Sequence, residues 1–155
     1  MGIFPPGTYD LFLTHGWRYT DEWQGLVALL DDYLPGKWRN WSLPWHDTSI
    51  DRYSEEGRAQ LEKLLRGHIA QASGVVLLPE TLDRAEDRMW LDKQLALAAR
   101  FTKPVIGVLP QNGGQFPDVL AVHVSAIVPR DPTQIIATLD RLLQEKFRRA
   151  PSGLR

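Results

Sequence analysis

Residues 88 to 101, RMWLDKQLALAARF, carry two stripes at helical spacing. Leu91, Leu95 and Ala98 form one stripe, while Trp90, Gln94, Leu97 and Phe101 form the other at offsets of four, seven and eleven. An amide in an apolar stripe needs partners, because a buried one without them costs about 1–3 kcal/mol. Three readings of Gln94 stand: it lines a polar pocket, it is satisfied inside the core, or it sits at a surface edge. Trp90, one turn earlier, reads as core or as pocket wall. A second group of polar residues follows the first apolar run, in the stretch Thr14, His15, Gly16 and Trp17. Gly16 lets a backbone approach a phosphate or ribose. Trp17 either stacks on a flat ligand or shields the end of a sheet, and His15 reads equally as a turn residue. Ser42 and Asp47 flank the end of a second short run as polar candidates, Ser42 also as a group that only bonds backbone.

Other chemistry is poorly served. There is no cysteine, so thiol nucleophiles, disulfides and thiolate metal sites are excluded. His15, His46, His68 and His123 form no pair at ligand spacing, which predicts no metal site. His68 falls on the inner side of a predicted helix and reads as a satisfied core or boundary histidine. No Gly-x-Ser-x-Gly elbow occurs, and QNGG lacks the Lys-Ser/Thr of a phosphate loop. The RDPTQ segment offers a helix N-terminus that an anion can meet, though capping alone explains it.

The elements that must position these residues follow from patterning. YDLFL reads as a buried strand, DEWQGLVALLDDYL as a helix ended by Pro35-Gly36, and KWRNWSLPW as a short strand stopped by Pro44. SEEGRAQLEKLLRGHIAQA is a second helix with Ser54 as cap and Leu61, Leu64, Leu65, His68, Ile69 and Ala72 inside. GVVLLP and KPVIGVLP are continuous apolar runs, the mark of strands covered on both faces. A polar loop, ETLDRAEDR, joins the first of them to the Gln94 helix. VSAIVP is a fifth strand, and DPTQIIATLDRLLQEKF is a last helix capped by Asp131 with Pro132 at its first position. Between them QNGGQFPDVL reads as a loop with one helical turn. The alternation predicts an α/β, flavodoxin-like, doubly wound sheet of five parallel strands in the order 2-1-3-4-5, with helices on both faces. Ligands bind such sheets beyond the carboxyl ends of the strands where the order reverses, between strands one and three. THGWR, LPWHD and PETLD should therefore converge there.

At 155 residues the chain suits one domain over residues 8–148, with a short extension at 1–7 and a frayed tail at 149–155. A formal net charge of −1 argues against general nucleic-acid or membrane-surface binding. No signal peptide, myristoylation site or membrane-spanning run is expected, and the absence of cysteine fits a reducing compartment. Five of the six tryptophans fall within the first 45 residues, as a Trp-rich core and surface or as an aromatic wall around a flat ligand.

The segment RMWLDKQLALAARFTKPVIGVLP resembles a signature of the TIR-like family of the Thoeris anti-phage defence system, the ThsB-like proteins. There a Trp, a Glu four residues later, an Ala and a Lys-Pro-apolar-apolar-Gly strand recur at this spacing. YDLFLTHGW resembles the family's first strand, NWSLPWHD its Asn-x-Ser segment with a following Asp, IAQASGVVLLPE its third-strand approach and IIATLDRLL its closing helix. The likeness spans residues 8 to 143 through an ordered set of individually weak motifs. It implies a TIR-like form of the flavodoxin-like fold and an NAD glycohydrolase or ADP-ribosyl cyclase-like enzyme. Such an enzyme takes NAD as substrate, needs no further cofactor, releases nicotinamide and makes an ADP-ribose-derived signalling nucleotide in the cytoplasm. The implied partners are that nucleotide, copies of the same protein, a phage-derived trigger and a separate effector protein, with no nucleic acid and no membrane. The implied site holds Gln94 at the catalytic position and Thr14, His15, Gly16, Trp17, Ser42, Asp47 and Trp90 around the substrate.

The sequence departs from that pattern where the chemistry is done. Breaking the nicotinamide–ribose bond builds positive charge on the ribose, and the family's glutamate stabilises it. Gln94 has the same shape without the charge and cannot act as a base. A charge lost at ~4 Å is worth ~4 kcal/mol at an effective dielectric near 20, roughly a thousandfold in rate. The resemblance thus implies an inactive or impaired protein, either a natural pseudoenzyme or a Glu→Gln replacement, the latter slightly favoured. The alternatives are a nucleotide-binding or TIR–TIR interaction module without catalysis, and a nucleoside-processing enzyme on the same sheet.

Overall fold

The continuous apolar runs form the centre of the sheet. In the computed structural model, which describes residues 8–16, 20–42 and 50–149, β1 (Tyr9–Leu13), β3 (Gly74–Leu77) and β4 (Val105–Val108) are the inner strands. β2 (Trp38–Asn40) and β5 (Ala126–Val128) are the edges. All pairs are parallel and the order is β2-β1-β3-β4-β5, a flavodoxin-like α/β fold. Strands buried on both faces lose the usual polar alternation, and every residue of β3 and β4 is buried.

Helices α1 (Asp21–Tyr33) and α5 (Pro132–Arg149) cover one face, and α2 (Glu55–Gln71), α3 (Arg88–Arg100) and the single turn α4 (Asp118–Ala121) cover the other. Leu11, Leu13, Val76 and Ile106 point into the first layer, while Phe12, Val75, Leu77 and Val105 point into the second. Caps fix the helix starts. Thr20 Oγ1 accepts from Trp23 N at 3.2 Å, Ser54 Oγ from Gly57 N at 2.9 Å, and Asp131 Oδ1 from Thr133 N at 3.1 Å.

Several expectations change in detail. Leu64, placed on the inner face of α2, is 37% exposed, because Leu61, Leu65 and Ile69 already fill the stripe that meets the sheet. The polar link ETLDRAEDR is not irregular; it winds into two 3-10 turns, Pro79–Asp83 and Ala85–Asp87. The last helix runs through Arg149, one residue into the stretch expected to fray. The described tryptophans divide between the layers: Trp23 and Trp38 pack on the α1/α5 layer, Trp41 and Trp90 on the α2/α3 layer. Trp17 and Trp45 lie outside the described residues. Among the described residues no helix is long and apolar enough to cross a membrane.

Candidate functional site at the carboxyl edge

The sheet order reverses between β1 and β3, and polar side chains interlock just beyond their carboxyl ends. Thr14 continues the β1 ladder by donating its N–H to Val76 O at 2.9 Å. Its hydroxyl accepts from Leu78 N at 2.9 Å and bonds the Thr81 hydroxyl at 3.1 Å. Two expected segments, THGWR and PETLD, therefore do meet. The third, LPWHD, lies outside the described residues.

Gln94 reaches the same place from α3. Its stripe is buried as the spacing predicts, with Trp90, Leu91, Gln94, Leu95 and Ala98 inside and Leu97 and Phe101 half-buried. Gln94 is 0% exposed. Its Nε2 donates to His15 O at 2.6 Å, and its Oε1 accepts from His15 N at 3.2 Å. A single amide thus satisfies both backbone groups of one residue. Of the three readings of this glutamine, the satisfied amide describes its bonding, and its place is beneath the β1 loop at the reversal of the sheet. A carboxylate could accept from His15 N but would meet the His15 carbonyl as a second acceptor.

His15 is itself buried. Its Nδ1 lies 2.8 Å from Gly16 O, and its ring packs against Phe12 and edge-on to Trp23. Gly16 is needed for a close approach, and the group that approaches is Asp87. A Cβ on Gly16 would fall 2.0 Å from Asp87 Cγ. Asp87 is 4% exposed, and its carboxylate has Arg84 Nε at 3.9 Å. Although it occupies the N-cap position of α3, its side chain makes no cap bond. Seven residues before Gln94, it shares that residue's face two turns earlier. The spacing could have revealed it; the polar appearance of ETLDRAEDR hid it.

Trp90 is 3% exposed and belongs to the core, yet its edge borders a cavity of about 120 Å³ with Arg52, Tyr53, Arg58, Glu86 and Met89. The Arg52 guanidinium sits 4.7 Å above the Tyr53 ring. These residues carry no periodic or motif signal. Ser42 is buried at the turn after β2, where its N–H donates to Asn40 Oδ1 at 3.0 Å and its hydroxyl bonds the same oxygen. Trp17 and Asp47 lie outside the described residues.

A second network closes the far side of this edge. Arg130 Nη2 bonds both oxygens of Glu80, at 2.8 and 2.9 Å, and Leu109 O at 3.2 Å. Gln111 N donates to Glu80 Oε2 at 2.8 Å. The side chains are 13% and 12% exposed, so the pair joins the ends of β3, β4 and β5 with little solvent screening. On the α2 side, burial pushes the His68 imidazole below its ordinary value, and its ring lies 6.2 Å from that of Trp41.

Comparison with protein-family models and with curated proteins finds no match to this sequence.

Proposed function

We propose that the protein is a TIR-like domain of the NAD-processing type found in anti-phage defence, acting in the cytoplasm on an NAD- or ADP-ribose-type nucleotide with impaired cleavage. The observation that carries this reading is Gln94, an amide held under the β1 loop at the reversal of the sheet, where a carboxylate would be needed to cleave NAD. The ordered likeness from YDLFLTHGW to IIATLDRLL supports the family. In an active relative the bond between nicotinamide and ribose breaks, nicotinamide leaves with the bonding pair, and a carboxylate stabilises the cationic ribose until water or an adenine nitrogen adds. Here Gln94 can orient the His15 backbone but supplies neither charge nor a base. The ring of Trp90 and the Arg52 and Arg58 guanidiniums border a small cavity beside this edge, with room for a nicotinamide ring.

One observation favours the non-catalytic alternative. Both polar atoms of Gln94 are engaged by His15, so this residue is built into the loop instead of being turned toward a ligand. An amide is also the group that His15 requires, with one donor and one acceptor, which favours a natural pseudoenzyme over a replaced glutamate.

The test is nicotinamide release from NAD by the parent protein and by Gln94→Glu, with and without a phage lysate as trigger, alongside calorimetric NAD binding. The expected result is binding by both and release by Gln94→Glu alone. If neither binds NAD and self-association is unchanged, the interaction module takes its place. Base release from nucleosides instead of NAD would replace it with the nucleoside-processing reading.

A further inference from the structure

A cavity much larger than the one beside Trp90 lies away from the carboxyl edge. It lies at the opposite edge of the sheet and measures about 840 Å³. Its walls are the turn from α3 into β4 at Thr102, Lys103 and Pro104, Ser125 just before β5, and the second half of α5. That volume falls in the range of small-molecule sites, about 300–1,000 Å³.

The charge on those walls is one-sided. Lys103, Arg141, Lys146 and Arg149 line the cavity with Glu145 as the one carboxylate, and Glu145 is already bonded by Arg141 at 3.1 Å. Among the described residues, no wall carboxylate is left for Lys103, Lys146 or Arg149. Helix capping explains part of the arrangement, since Lys103 Nζ donates to Ala70 O at 3.1 Å and Lys146 Nζ to Thr102 O at 2.8 Å. Each ammonium has three donors and spends one of them. Capping does not explain Arg149 or the Phe147 ring, which stands half in solvent on the last turn of α5. Burial, and then the nearby Lys146, hold Lys103 below its ordinary value.

Clustered cations take phosphate oxygens, the Ser125 hydroxyl adds a donor, and an exposed aromatic ring takes the face of a base. The grouping of charge in one concavity suits a compact ligand; nucleic acid would call for a basic stripe, and the protein as a whole carries a charge of −1. We propose that this groove binds a nucleoside diphosphate, with Lys103, Lys146 and Arg149 on the diphosphate and Phe147 on the base. This assignment is independent of any role for Gln94 and of the carboxyl-edge crevice.

Backbone NMR of the isotope-labelled protein, titrated separately with ADP, pyrophosphate and adenosine, tests it. ADP is expected to shift the amides of Thr102, Lys103, Ser125 and residues 141–149, and to bind roughly tenfold more tightly than pyrophosphate. Arg149→Glu should weaken ADP at least about tenfold through reversed charge. Phe147→Ala should reduce ADP affinity to that of pyrophosphate. Both side chains are exposed, and unchanged circular dichroism would show the fold intact. Four outcomes would overturn the proposal: no shifts at this edge at millimolar ADP, equal binding of ADP and pyrophosphate, shifts confined to residues 14–16 and 88–94, or a response to poly-glutamate peptide in place of ADP, which would make the groove a protein-docking surface.

Discussion

Gln94 and His15 hold one another through two opposed hydrogen bonds, the amide nitrogen of Gln94 donating to the His15 carbonyl and the His15 N–H donating to the amide oxygen, with neither residue open to solvent. The end of β1 is thereby fastened to the middle of α3 at a point where the sheet itself offers no partner strand.

That pairing makes the amide and the acid distinguishable by pH. In Gln94→Glu the buried carboxyl keeps both bonds only when protonated, so its folded pKa lies above the unfolded value of about 4.3. A raised acid pKa leaves stability untouched below the unfolded value and removes it as pH climbs toward the folded one. Urea denaturation should show Gln94→Glu close to the parent near pH 4 and about 1–3 kcal/mol weaker at pH 8. Gln94→Leu should lose a similar amount with no such pH dependence. A Gln94→Glu variant equal to the parent at pH 8 would refute the two-bond pairing.

Gly16→Ala should be costly although the glycine lies in no turn of unusual torsion. The added methyl would meet the Asp87 carboxylate at 2.0 Å, within a buried contact that cannot yield freely. A loss of about 1–3 kcal/mol is expected from overpacking. Adding Asp87→Ala should return part of it, measured as thermal midpoints of the single and double variants. Strictly additive effects would show that the two residues do not touch.

Arg130 and Glu80 form a poorly solvated ion pair, and removing one partner strands the other. Arg130→Met should destabilise by about 3–5 kcal/mol, while the double change with Glu80→Gln should recover most of that. A double-mutant cycle in chemical denaturation gives the coupling directly, and coupling near zero would contradict the geometry.

His68 supplies the opposite pH signature from an acid at position 94. Burial lowers its folded pKa below the ordinary 6.5, so the unfolded state binds the proton more readily. Stability should therefore be full above that value and fall as pH drops through it, levelling below the folded pKa. Comparing the parent with His68→Gln between pH 8 and pH 5 should isolate this slope, and identical slopes would remove His68 as its source.

Much of the architecture was legible because burial on both faces writes itself into β3 and β4 as unbroken apolar runs, and because Ser54 and Asp131 announce helix starts. Gln94 could be placed on an inward stripe from spacing alone. What it bonded could not, since its partner is the backbone of a residue 79 positions away and carries no side-chain signal. Asp87 escaped notice for a related reason: inside ETLDRAEDR it reads as one more polar loop residue, and only the contact with Gly16 shows its use. The Arg130–Glu80 pair joins segments 50 residues apart, each of which reads as an ordinary polar loop.

Both margins of the sheet end in strands of three residues, β2 and β5. Unpaired peptide groups are the template on which a foreign strand polymerises, and three residues offer very little of it. Lateral growth by cross-β recruitment is thus discouraged at either flank. A partner of any kind would have to be met by the side chains of helices and loops, where single substitutions can act without disturbing the ladder beneath.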